Sequence, residues 1–114
     1  MIAPAVFAAV IAGDRNANAI SGTAVEDRIR GEGGENFLEG AAGSDRLYGD
    51  DGDDSLFGRT GNNFLTGGYG DDEHEGGRGD VTLRGGSDVI DCGPGRDSVE
   101  KDARDRTRNC EIVL

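Results

Sequence analysis

Tryptophan is absent from this chain, aromatic residues make up 5% of it, and it holds only two cysteines, two prolines and one histidine. With so few large apolar side chains, and 34% hydrophobic residues in all, a thick globular core has little material to be built from. No apolar run reaches the roughly 18 residues a membrane-spanning helix needs, so no transmembrane segment is expected. Positive charge is scarce too: 12 Lys and Arg stand against 23 Asp and Glu, a net −11, which disfavours a nucleic-acid partner because phosphates must be neutralised by bases. A single histidine excludes an H-E-x-x-H metal site and leaves no convincing Ser/His/Asp or Cys/His constellation, so the chain is not expected to be an enzyme. The charge is also uneven. Residues 98–114 hold four acids and four bases, which places the whole excess in residues 1–97.

What the chain does have is glycine, 21 residues of it, and aspartate. Composition alone describes an acidic, glycine-rich, poorly folding polymer. Order says otherwise. Cut every nine residues from Gly13, the sequence reads GDRNANAIS, GTAVEDRIR, GEGGENFLE, GAAGSDRLY, GDDGDDSLF, GRTGNNFLT, GGYGDDEHE and GGRGDVTLR, then a seven-residue unit GGSDVID, then CGPGRDSVE. Position one is glycine in every unit but the last. Position four is glycine in Gly34, Gly43, Gly52, Gly61, Gly70, Gly79 and Gly95. Position six is Asp or Asn in Asn18, Asp27, Asn36, Asp45, Asp54, Asn63, Asp72 and Asp97, with Asp88 equivalent in the short unit. Position eight is aliphatic from Ile20 to Val99, with His74 the exception.

One unit has a simple physical reading. Glycines at positions one and four suit a turn with positive φ, and the last three residues, one aliphatic flanked by two outward side chains, suit a very short strand. Two units make one coil, and stacked coils make two parallel sheets around a thin aliphatic column. The expected fold is all-β: a right-handed parallel β-roll over residues 13–100, with a C-terminal cap over 101–114. The cap is expected to be irregular or a turn of helix, followed by a strand at Glu111–Leu114. Residues 1–12, MIAPAVFAAVIA, fit either a first strand or the remnant of a signal peptide. One aliphatic per unit is a thin core against the entropy of ordering glycine-rich chain, so something further must hold the turns.

The G-G-x-G-x-D-x-U-x pattern, carried best by GGYGDDEHE and GDDGDDSLF, resembles the RTX or hemolysin-type calcium-binding repeats. That resemblance implies several calcium ions between same-side turns of adjacent coils, held by position-six side chains and turn carbonyls, a ligand set suited to a hard cation. One edge would stack Asn18, Asn36, Asp54 and Asp72; the other would stack Asp27, Asp45, Asn63 and Val81. Asp54/Asp72 is the best pair, with backbone from Gly49, Asp51, Gly67 and Tyr69. Asn36/Asp54, with Gly31 and Gly33, and Asp45/Asn63, with Gly40 and Ala42, exchange one carboxylate for an amide. Asp27/Asp45 keeps both carboxylates, but Val25 replaces the turn glycine. No ordinary site is expected between Asn63 and Val81. The alternative is a metal-free roll in which Asp and Asn bond turn amides. An even cysteine pair in an exported protein reads as a Cys92–Cys110 disulfide closing the last coil, with two free thiols as the alternative.

Positions seven and nine face outward. One sheet presents Phe37, Glu39, Ser55, Phe57, Glu73 and Glu75; the other presents Arg28, Arg30, Arg46, Tyr48, Phe64, Thr66, Thr82 and Arg84. Oppositely charged faces suit either plain solubility or weak self-association. His74 between Glu73 and Glu75 is read as an inward residue, because strand neighbours face opposite ways. The functional reading is an exported, secreted or cell-surface calcium-binding roll whose folding is coupled to calcium. Against it stand a metal-independent structural or adhesion solenoid and an accessory repeat domain of a larger secreted hydrolase. Ice binding is disfavoured because neither face carries a flat threonine ladder.

Overall fold

The structure is a computed structural model that describes the backbone of residues 9–77, 81–84, 89–91, 98–100, 106–108 and 112–113, with side chains over 9–77. Its strands are β1 (Val10–Ala12), β2 (Ala19–Ser21), β3 (Arg28–Arg30), β4 (Phe37–Glu39), β5 (Arg46–Asp51), β6 (Ser55–Phe57), β7 (Asn63–Tyr69), β8 (Glu73–Glu75), β9 (Val81–Arg84), β10 (Val89–Asp91), β11 (Ser98–Glu100), β12 (Arg106–Arg108) and β13 (Ile112–Val113). Odd strands form one sheet in chain order and even strands form the other, so the chain alternates sheets with every unit. All pairings are parallel. The molecule is an all-β parallel solenoid, and no described residue is helical.

The nine-residue ruler sets the register. Ile11 faces Ile29, Ile29 faces Leu47 and Leu47 faces Leu65, each eighteen residues on, while Ile20, Leu38, Leu56 and His74 do the same in the second sheet. The seven-residue unit then shortens the step without breaking either ladder: His74 faces Ile90 and Leu83 faces Val99, sixteen residues on. The tail carries β12 against β10 and β13 against β11, so it adds to both sheets. Cys92 and Cys110, together with Asp88 and Asp97, lie outside the described residues.

Ile29, Leu38, Leu47, Leu56 and Leu65 are fully buried, with Ile11 and Ile20 packed against them at the N-terminal end. The three-residue strands β3, β4, β6 and β8 each bury their middle residue, as the one-in-three apolar pattern requires. His74 takes the inward slot beyond Leu56 and is buried. Three strands exceed the expected three residues, β9 by a single residue and β5 and β7 by more. β5 and β7 run on through the following turn, where Asp50 faces Gly68 and Asp51 faces Tyr69. The turns therefore pair with one another as well as the strands, which fixes their side chains in an axial column along each edge.

Outside the sheets, diagonal neighbours meet across adjacent strands. Phe37 packs on Phe57 with ring centroids 4.8 Å apart, and Tyr48 lies 5.9 Å from Phe64. Arg30 sits over Tyr48 and pairs with Asp50 at 3.1 Å, while Arg59 sits over Phe57 and pairs with Glu39 at 3.2 Å. These contacts tie neighbouring coils together on the exposed faces, each contributing modestly in water.

Candidate functional site

The position-six side chains of both edges form continuous ladders. On one edge the backbone amide of Asn18 donates to Asn36 Oδ1 (2.9 Å), that of Asn36 to Asp54 Oδ1 (2.8 Å), and that of Asp54 to Asp72 Oδ1 (2.8 Å). On the other, Asp27 donates to Asp45 Oδ1 and Asp45 to Asn63 Oδ1, both at 2.8 Å. Each side chain thus reaches back one coil and satisfies an amide the turn leaves unpaired, a role amide and carboxylate fill equally well. Asn36, Asp54, Asp72, Asp27, Asp45 and Asn63 are all buried. The sequence placed these residues together at the two edges, and the structure brings them together there.

One oxygen of each carboxylate is used in this way; the other is the chemically informative one. Asp45 Oδ2 and Asp54 Oδ2 are buried and accept no hydrogen bond, and Asn63 Nδ2 is likewise buried without an acceptor. These atoms face the position-one glycine of their own turn. A Cβ on Gly40 would lie 2.5 Å from Asp45 Oδ2 and 3.0 Å from the Gly58 carbonyl oxygen. A Cβ on Gly49 would collide with Asp54 Oδ2 and lie 2.6 Å from the Gly67 carbonyl oxygen. Position-one glycine is therefore required by close approach. The gap it leaves is bordered by a carboxylate oxygen of one coil and a turn carbonyl of the next.

That gap is electrostatically unbalanced. Burial, aided by the charges of Asp27 and Glu26, raises Asp45 from the usual 3.8 to about 6 despite its hydrogen bond from Asp27. Burial also raises Asp54, with Asp50 and Asp53 adding repulsion. Among the described residues no three His, Cys, Asp or Glu side chains converge, so a cation here would draw on carboxylates and carbonyls together. Buried carboxylate and carbonyl oxygens at one small gap fit a hard, oxygen-seeking cation such as Ca²⁺ and suit softer metals poorly.

The other predicted backbone ligands divide. Gly31 and Gly67 repeat the arrangement at Gly40 and Gly49: a Cβ on Gly31 would meet Asn36 Nδ2 and the Gly49 carbonyl, and one on Gly67 would meet Asp72 Oδ2. At position three, the Gly33 carbonyl accepts from Asn36 Nδ2 (3.2 Å) and the Tyr69 carbonyl accepts from the Gly52 amide (3.0 Å). The Asp51 amide donates to the Glu32 carbonyl, and Ala42 sits between Ala41 and Gly43, both left-handed. Val81 opens β9 opposite Asn63, as part of the strand ladder.

The turn conformation departs from the sequence expectation in one respect. Positive φ occurs at positions two and four, whereas glycine was expected to supply it at one and four. Position two is left-handed in Glu32 (75°), Ala41 (68°), Asp50 (71°) and Arg59 (68°), as well as in Gly68 and Gly77. Four non-glycine residues thus hold a conformation that disfavours a Cβ. The signal lay in the sequence: GGYGDDEHE and GGRGDVTLR have glycine at position two, and the four units from Gly31 to Thr66 carry the same backbone without it.

The first two turns are built differently. Neither Asp14 nor Thr23, at position two, has positive φ, and neither do Asn16 and Val25 at position four. The Thr23 amide donates to Asp27 Oδ2 (2.6 Å), its hydroxyl reaches both carboxylate oxygens (2.9 and 3.0 Å), and the Ala9 amide donates to Oδ1 (2.9 Å). Burial opposes ionisation of Asp27, but these hydrogen bonds together outweigh it and lower its pKa.

The model of the RTX calcium-binding nonapeptide repeat matches the chain in four overlapping copies, at residues 12–47, 21–56, 48–83 and 66–99. Among curated proteins and among solved structures, nothing matches.

Proposed function

The chain belongs to the RTX calcium-binding nonapeptide repeat family, and from that premise we propose that it is an exported β-roll whose folding is coupled to calcium. The observation that carries the proposal is the pair of buried, unbonded oxygens, Asp45 Oδ2 and Asp54 Oδ2, each beside a carbonyl of the next coil. In a calcium-poor compartment these carboxylates are buried without a counter-charge, and the coils they join are destabilised. Calcium at the gaps supplies that charge. Because the gaps exist only when two coils are stacked, the ion binds the folded chain and not the unfolded one, and stability rises with its concentration.

Export follows from the same chemistry. A roll of this kind stays largely unfolded where calcium is scarce and orders where it is abundant, which suits secretion or display at the cell surface. A Cys92–Cys110 disulfide and a right-handed coil belong to this reading, as does a role in binding and folding in place of catalysis. A metal-independent solenoid draws support from the Oδ1 ladders, which need no ion. It leaves the second oxygens of Asp45 and Asp54 unaccounted for. The oppositely charged sheet faces suit weak association between copies, and sedimentation that does not change between low and high salt would argue against it.

The test is the double variant Asp54→Ala/Asp72→Ala, followed by circular dichroism during a calcium titration. Loss of most calcium-induced structure is expected. An undiminished response would refute the assignment of the Asp54/Asp72 gap.

A further inference from the structure

Successive turns on one edge treat the same aspartate in opposite ways. Asp27 and Asp45 both occupy position six, both are buried, and each stands before a position-one glycine, Gly22 or Gly40. A Cβ on Gly22 would lie 2.6 Å from both Asp27 Oδ2 and the Gly40 carbonyl oxygen, so the gap between these two turns has the same borders as the gaps further along. The difference is the donor set. Asp27 takes the amide and hydroxyl of Thr23 and the amide of Ala9, which leaves neither oxygen without a proton donor. Asp45 Oδ2 has none, because Ala41, at the position of Thr23, lacks a hydroxyl and is turned to φ 68°.

Resting on the calcium reading above, we infer that Thr23 takes the place of the cation at the Asp27 turn. The first coil then closes without metal, and calcium demand begins with the Asp45/Asn63 and Asp54/Asp72 gaps. Neighbouring position-six residues reinforce the division. Asn18 donates to Asp14 Oδ1 (3.0 Å) and to the Asn16 carbonyl (2.7 Å). Asn36 donates to the carbonyls of Gly33 and Gly34, both at 3.2 Å, so its amide protons meet oxygens a cation would otherwise draw. A hydroxyl and two amides thus do at the N-terminal turns what an ion does in the middle. The consequence is a solenoid with a metal-independent first coil, whose Ile11–Ile29 ladder offers a formed edge for the calcium-dependent coils to stack on.

The experiment counts bound calcium on the full chain by equilibrium dialysis with atomic emission. Asp45→Asn is expected to lower the count, and Asp27→Asn is expected to leave it unchanged. The double variant Thr23→Gly/Val25→Gly restores glycine at positions two and four and removes the hydroxyl; it is expected to bind one calcium more than the wild type, and to lose that ion when Asp27→Asn is added. A fall by one ion in Asp27→Asn alone, or an unchanged count in a folded double variant, overturns the inference. If the double variant fails to fold, the single Asp27→Asn and Asp45→Asn counts decide the matter alone. A wild-type chain that binds no calcium overturns the functional reading itself, and this inference with it.

Discussion

Gly40 and Ala41 are adjacent in one turn, and the structure predicts opposite outcomes for exchanging glycine and alanine at the two positions. Ala41 holds φ at 68°, a region that costs an L-residue about 1–2 kcal/mol. Ala41→Gly relieves that cost but adds roughly 0.5–1 kcal/mol of chain entropy lost on folding. The net expectation is a stabilisation of about 0.5–1 kcal/mol, or roughly 2–4 °C in a domain of this size. Gly40→Ala meets the reverse situation. Its φ is ordinary, but the new methyl would stand 2.5 Å from Asp45 Oδ2 and 3.0 Å from the Gly58 oxygen. Relieving that overlap should cost about 1–3 kcal/mol, and the shift moves the very oxygens that border the gap, so calcium affinity should fall as well. Urea unfolding in saturating calcium, with calorimetric titration of each variant, reads both effects. Destabilisation by Ala41→Gly, or a Gly40→Ala variant that unfolds and binds calcium like the wild type, would refute the reasoning.

Three other outcomes follow from the structure. Asp45 has a folded pKa of about 6 against 3.8, so the metal-free fold should be most stable below about pH 4 with respect to this group, and should lose that contribution as pH rises through 6. Calcium needs the ionised form, so its affinity should instead rise over the same range; calcium titrations with equal affinity at pH 5 and pH 7.5 would contradict this. Leu47→Ala empties the centre of the aliphatic column, where Leu47 is fully buried between Ile29 and Leu65. It should cost about 2–5 kcal/mol in denaturant midpoint measurements, and a cost below 1 kcal/mol would mean the column is not the core.

The solenoid was legible because its period is rigid. A glycine every nine residues, with an apolar residue at position eight, dictates which strands pair and which side chains point inward, and Ile29, Leu38, Leu47, Leu56 and Leu65 follow from counting. The edge composition of the site was legible for the same reason, since position-six residues eighteen apart must stack. Which residue carries positive φ was not. Glu32, Ala41 and Arg59 are poor choices for that conformation, Asp50 a tolerable one, and the surrounding ladder holds all four in it. The closed Asp27 turn escaped for a related reason: Val25 signalled a departure, but the compensating donor is Thr23, whose role depends on a hydroxyl orientation no repeat pattern encodes. The tail strand Arg106–Arg108 has no glycine ruler and no aliphatic centre, and its place beside β10 comes from the sheet edge it covers.

The central claim, that calcium at the inter-coil gaps holds this roll together, is tested most directly by far-ultraviolet circular dichroism of the unmodified chain, in chelator and then through a calcium titration. A cooperative gain of β-structure on adding calcium, reversed by chelator and not reproduced by an equal concentration of magnesium, is the predicted result. A spectrum and unfolding midpoint that are the same in calcium and in chelator would contradict it.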